Sequence, residues 1–115
     1  MIVAHARDVL GTRIDNDQIK NAVKKVLVSP AQGWEGWVMR VFELGEGGYS
    51  PRHSHPWPHI NYILQGQGTL HLDGQDYSLE PGSFAYVPGN TEHQFRNRGP
   101  ETFAFICIVP EEGDK

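Results

Sequence analysis

From residue 22 to residue 110 the chain is cut into short runs of alternating apolar and polar residues, separated by Gly, Pro and Asn. AVKKVLV (22–28) and WVMRVFEL (37–44) come first, and GEGG (45–48) reads as a turn. HINYILQ (59–65), TLHLD (69–73), QDYSLE (75–80), FAYVP (84–88), EHQFRN (92–97) and TFAFICIVP (102–110) follow, with Gly74 marking a hairpin. Alternation with a period of two places successive side chains on opposite faces of a strand. Many short strands at near-regular spacing, with no long helix between them, predict a β-sandwich or barrel and exclude parallel βαβ units.

The 115 residues suit one domain, and 13 Gly with 8 Pro fit the many turns that such a domain needs. Residues 22–110 are expected to form the barrel. Residues 1–21 carry no apolar stripe, so their structure is left open, with a short helical turn an option over 15–22. The acidic tail EEGDK (111–115) is expected to fray. The net charge is −4, and no basic stripe extends beyond Lys24-Lys25, so nucleic acid is not expected as a partner. No apolar run is long enough to span a bilayer as a helix, and no signal-peptide core is evident near Met1. Cys107 is the lone cysteine, which rules out an internal disulfide and makes the reducing cytoplasm the simplest setting.

Three of the six histidines fall within seven residues, in His53-Ser54-His55-Pro56-Trp57-Pro58-His59. On an extended segment His53 and His55 share a face. Pro56 and Pro58 interrupt strand pairing and bend the chain, so that a third imidazole can swing toward the same point. His93 lies far along the chain, just after the turn PGNTE. Neutral imidazoles converging on one point suit a transition-metal ion, whereas burying them together without one leaves many ring nitrogens to satisfy. An isolated His-x-His also arises by chance on a wetted surface, so spacing alone leaves both readings open.

The flanks carry more. Gly47, His53, His55, position 59 and Gly66 have the spacing of the first cupin motif, and Gly82, Pro88, His93 and Asn97 resemble the second. Two departures stand out. His59 occupies the place where the first motif usually has Glu, and Gly89-Asn90 shifts the usual glycine by one. The stretches WVMRVF, RHSHPW, NTEHQFRN and ICIVP are similar to the small monodomain cupins with four histidine ligands, which include manganese-binding members. That resemblance implies a single-domain antiparallel jelly-roll barrel (the double-stranded β-helix). It also implies one divalent metal per chain on His53, His55, His59 and His93, with two adjacent coordination positions open. Mn2+ is favoured by the resemblance alone. Ligand chemistry leaves Fe2+, Ni2+, Cu2+ and Zn2+ open.

Around this site, Cys107 shares its strand face with Phe105, and the resemblance turns that face toward the cavity. A lone Cys is otherwise a small buried hydrophobe. Arg40 sits among apolar neighbours, where it could orient an anionic substrate or form a salt bridge. Trp57 lies between motif histidines as a gate or as packing. Tyr62 and Gln94 are further lining candidates, whereas His5 and His71 are not expected to be ligands. The expected function is a metal-dependent, dioxygenase-like enzyme acting on a small organic molecule. The alternatives are a metal-containing binding or sensing module and a barrel with a structural metal. A homodimer is expected by analogy, paired through 22–28 as an otherwise exposed edge.

Overall fold

The computed structural model describes residues 1–114. Among these residues there are nine strands: β1 (Thr12–Ile14), β2 (Lys20–Val28), β3 (Trp37–Tyr49), β4 (His59–Gln65), β5 (Gly68–Leu72), β6 (Gln75–Leu79), β7 (Phe84–Val87), β8 (His93–Asn97) and β9 (Phe103–Pro110). All pairings are antiparallel, in the order β6-β5-β8-β3-β9-β4-β7, with β2 on the other side of β3 and β1 beyond it. The strands curl into a nearly closed antiparallel barrel, one of the two architectures that the strand pattern allowed and the one that the cupin resemblance implied. Leu44, Ile63, Leu70, Phe95, Phe103 and Phe105 fill its closed end. Each of these side chains contributes about 1.5–3 kcal/mol by leaving water.

The inner face of the β3-β9-β4 sheet is built in rows. Arg40, Cys107 and Asn61 stand opposite one another across the three strands, and Phe42, Phe105 and Ile63 form the next row inward. These are the alternation classes visible in WVMRVFEL and TFAFICIVP.

Four local expectations are corrected. GEGG is not a turn but a bulge inside β3, which runs on to Tyr49. Ala22 pairs with Leu44 and Lys20 with Tyr49, so one residue of β2 opposes four of β3. Gly47 takes φ 71 there, and Asn21 of the partner strand takes φ 51. Residues 15–22 form no helix: a 3-10 turn spans Ala6–Asp8, and β1 pairs with β2. The tail does not fray over Glu111–Asp114, which form a 3-10 turn, with Asp114 ion-paired to Lys24 at 2.7 Å. Finally, 22–28 is a bare edge only in part: β1 covers Ala22–Lys24, whereas 25–28 pairs with β3 alone among the described residues. No helix among the described residues is long and apolar enough to cross a membrane.

Candidate metal centre

The two histidine-bearing segments are joined by backbone. His53 and His93 form an isolated antiparallel bridge, donating to each other's carbonyls at 3.2 and 2.9 Å. The Asn90 amide donates to the His55 carbonyl at 2.6 Å. Asn90 adopts φ 61, the left-handed conformation that the turn requires and Asn tolerates. The shifted glycine has a steric reason: a Cβ on Gly89 would collide with the Pro56 carbonyl. Directly opposed residues of an antiparallel bridge project on the same side, so forty residues of separation collapse to neighbouring rings. The His53 and His93 ring centroids are 4.9 Å apart, His55 and His93 4.8 Å, and His59 and His93 4.8 Å.

Nitrogens of His53, His55 and His93 all lie within 4.8 Å of one another, which makes these three a candidate metal site. His59 comes close from β4, with its Nε2 3.2 Å from Nε2 of His93. The hydrogen bonds on the far side of the rings define their tautomers. Nδ1 of His55 lies 2.7 Å from the Trp57 carbonyl, and Nδ1 of His93 lies 2.9 Å from the Thr91 carbonyl. A carbonyl only accepts, so both Nδ1 atoms carry the proton. Nδ1 of His59 meets Oδ1 of Asn61 at 2.6 Å. The orientation of that amide is set by its other end, where Nδ2 donates to the Ile106 carbonyl at 3.3 Å. His59 therefore also donates from Nδ1.

With Nδ1 protonated on both rings, the facing Nε2 atoms of His59 and His93 each present a lone pair at 3.2 Å. That is not a hydrogen bond but a repulsion, unless a cation lies between them. Two imidazole nitrogens on one ion, with bonds near 2.0–2.1 Å, stand about 2.8–3.4 Å apart. The donor set therefore fits a divalent transition metal. Imidazoles whose second nitrogen donates to a carbonyl or amide are the usual arrangement around a bound metal, because that bond sets tautomer and ring orientation.

Electrostatics favour the neutral, ligating form. Burial, with help from His93 and His55, lowers the His53 pKa to about 4. Burial lowers His59 to about 3 against the opposing pull of the Asn61 hydrogen bond, and it lowers His93 as well. The rings differ in exposure: His59 and His93 are buried, His55 is half-buried, and His53 is exposed at the mouth. Trp57 stacks on His55 with its centroid 4.7 Å away and the planes 9° apart, so one residue holds that ring from its face and from Nδ1.

The cluster opens onto a cavity of about 540 Å3. Arg40, Trp57, Phe105 and Cys107, the four pocket candidates, all line it. Tyr62 does not: it points outward from β4 and is 48% exposed. Gln94 is buried away from the cavity, donating to the Ser50 carbonyl at 2.9 Å. His71 is engaged by Asp76 and Arg52, and His5 caps the first 3-10 turn, both outside the cluster. Four contributors were missed from sequence: Asn61, the Trp57 and Thr91 carbonyls, and Asp114. A polar residue two positions after His59 on the same strand face was the only available signal for Asn61. Burial raises the Cys107 thiol pKa against the opposing effect of Arg40, whose NH2 lies 3.0 Å from Sγ, so the group is a neutral thiol.

Comparison with known proteins agrees with this fold. Residues 40–109 match the family described as Cupin domain. The 1-methylthio-D-xylulose 5-phosphate methylsulfurylase of Rhodospirillum rubrum is 30% identical over 108 residues, covering 94% of this chain and 69% of the relative. Quercetin 2,3-dioxygenase of Bacillus subtilis is 51% identical over 49 residues, which are 43% of this chain but 14% of that enzyme. Among solved structures, the polyketide cyclase RemF from Streptomyces resistomycificus superposes with a TM-score of 0.89 at 26% identity, covering 96% of this chain and 80% of that one. The match spans the bridge that joins His53 to His93, and on that basis the chain belongs to the cupin family.

Proposed function

We propose that this cupin holds one divalent transition metal on His53, His55, His59 and His93, and that it is a dioxygenase-like enzyme acting on a small organic molecule. The carrying observation is the pair of Nε2 lone pairs facing each other at 3.2 Å between rings whose Nδ1 atoms are already committed. Four neutral ligands leave the full charge on the ion, which makes it a strong acceptor for an anionic oxygen. When bound, Mn2+ or Fe2+ supplies one-electron chemistry with O2 as well as Lewis acidity, and Mn2+ is the favoured ion. The chain's own residues orient the ligands through Asn61 and the Thr91 and Trp57 carbonyls. They also line the cavity with Phe42, Phe95 and Phe105, which favour an apolar substrate body. The strong local similarity to quercetin 2,3-dioxygenase supports the oxygen chemistry.

The test is spectroscopic and then catalytic. Mn2+-loaded protein in 17O-enriched water should show line broadening in its electron paramagnetic resonance spectrum, from exchangeable water on the ion. Oxygen uptake should then follow addition of a substrate from a panel of small enols and phenols. Absence of exchangeable water would instead indicate a closed structural cage.

A homodimer belongs to the same proposal, through a different surface from 22–28. Ile60, Tyr62 and Leu64 of β4 and Phe84 and Tyr86 of β7 point outward and are 45–78% exposed. Ile60 stands opposite Tyr86 and Tyr62 opposite Phe84, so they form one continuous patch. The contiguity of this aromatic and aliphatic surface is what supports the dimer reading.

A further inference from the structure

The cavity has a second polar group, away from the histidines. Lys24 and Arg40 both line it. Nζ of Lys24 lies 2.7 Å from Oδ1 of Asp114, and NH1 of Arg40 lies 3.4 Å from that same oxygen. Two cations thus share one carboxylate oxygen, and the group retains one unmatched positive charge. The Arg40 side chain is 11% exposed and is held over the Phe42 ring at 4.9 Å. Its guanidinium is poorly used. NH2 faces only the thiol of Cys107, a weak acceptor, and the buried Nε–H has no acceptor. Nε and NH2 form the edge with which arginine grips a carboxylate through two parallel hydrogen bonds, and that edge meets no oxygen. A buried arginine left in this state costs free energy, which a carboxylate better placed than Asp114 would recover by taking its place.

Position supplies the rest. Arg40, Cys107 and Asn61 form one row across β3, β9 and β4, and Asn61 holds His59. Two strand spacings, ~10 Å, separate the first and last backbone positions of the row. A small molecule gripped at Arg40 therefore reaches the histidine cluster with its far end, with its body against Phe42 and Phe105. Asp114 arrives on the C-terminal 3-10 turn, whose Gly113 packs against the Trp57 indole.

We infer that Arg40 and Lys24 are the specificity-determining residues of this cavity. They select a small organic carboxylate with an apolar body, and Asp114 is an internal carboxylate that the ligand displaces. Only the role of the histidine end depends on the function proposed above; the carboxylate subsite stands on Arg40, Lys24 and Asp114 alone. Binding requires the Asp114 turn to give way, so removing its charge should strengthen binding.

The test is calorimetric titration of the metal-loaded full chain with phenylacetate and with phenylacetamide, which share shape and differ in charge. Phenylacetate should bind about tenfold more tightly or better. Arg40→Met and Lys24→Met should abolish that preference, and Asp114→Asn should tighten phenylacetate binding several-fold while leaving phenylacetamide unchanged. If Arg40→Met fails to fold, Lys24→Met and Asp114→Asn decide the matter, since both sites lie nearer the surface. Chelator-stripped protein should keep the preference for the acid. Equal binding of acid and amide, no binding of either in the millimolar range, or weaker acid binding by Asp114→Asn overturns the assignment. A preference that survives Arg40→Met but vanishes on metal removal places the acid on the metal; it overturns the subsite while leaving the metal centre intact. Failure to load any metal, with the acid preference retained, does the reverse.

Discussion

Asn61 links the fold to the proposed metal centre, and truncating it separates orientation from packing. Asn61→Ala removes the 2.6 Å acceptor of His59 Nδ1–H and the 3.3 Å donor to the Ile106 carbonyl. The side chain is 0% exposed, so water does not simply replace it. In the metal-free protein His59 has an escape. It can shift its proton to Nε2 and donate to Nε2 of His93, already 3.2 Å away. The metal-free fold should therefore lose only about 1–2 kcal/mol, the net worth of the lost hydrogen bonds plus a small cavity. The metal-bound form has no such escape, because the ion needs the Nε2 lone pair. Loss of an orienting partner of this kind costs about 10- to 100-fold in affinity, roughly 1.4–2.8 kcal/mol. Urea titration of the metal-free protein and competition with a chromophoric chelator measure the two quantities, and 15N NMR reads the His59 tautomer directly. Asn61→Asp, which keeps an acceptor for Nδ1, should recover most of the affinity. Metal affinity within twofold of wild type in Asn61→Ala would show that Asn61 does not orient His59. Equal losses in both forms would reduce its role to packing.

Other outcomes follow from the same geometry. His59→Glu adds a negative charge beside the ion, so the reduction potential of bound Mn or Fe should fall in a redox titration; an equal or higher potential would contradict the charge argument. Phe84→Lys and Tyr62→Lys should convert a dimer to a monomer in light scattering without lowering thermal stability, because both side chains point outward. A wild-type monomer at micromolar concentration would remove the patch as an interface.

Strand positions were legible because a half-buried strand writes its period of two directly into the sequence, and the HINYILQ segment coincides with β4. Alternation also grouped Phe105 with Cys107, but TFAFICIVP is apolar on both faces, and only the cupin resemblance turned that pair toward the cavity. GEGG was not, because four residues rich in glycine read alike as a turn or as a bulge; the difference lies in the partner strand, where Asn21 absorbs the mismatch. The short β1 carries too few residues for a period to show. The order of the tail depends on Lys24 and Arg40, which stand far from Asp114 in sequence and touch it only once the barrel has closed. At the site, the spacing of the histidines left a cluster and a chance pattern equally open, and the likeness of the flanking motifs to cupins decided between them. What made the tautomers determinate was the Trp57 and Thr91 carbonyls, and backbone groups leave no mark in a sequence.

The most direct test is the metal content of the purified and reconstituted protein, measured by elemental analysis with His53→Ala, His55→Ala, His59→Ala and His93→Ala in parallel. The account expects close to one ion per chain in the wild type and its loss as these histidines are removed singly or in pairs, with folding preserved. A wild-type protein that takes up no Mn, Fe, Ni, Cu or Zn, or a bound ion indifferent to all four substitutions, would contradict it.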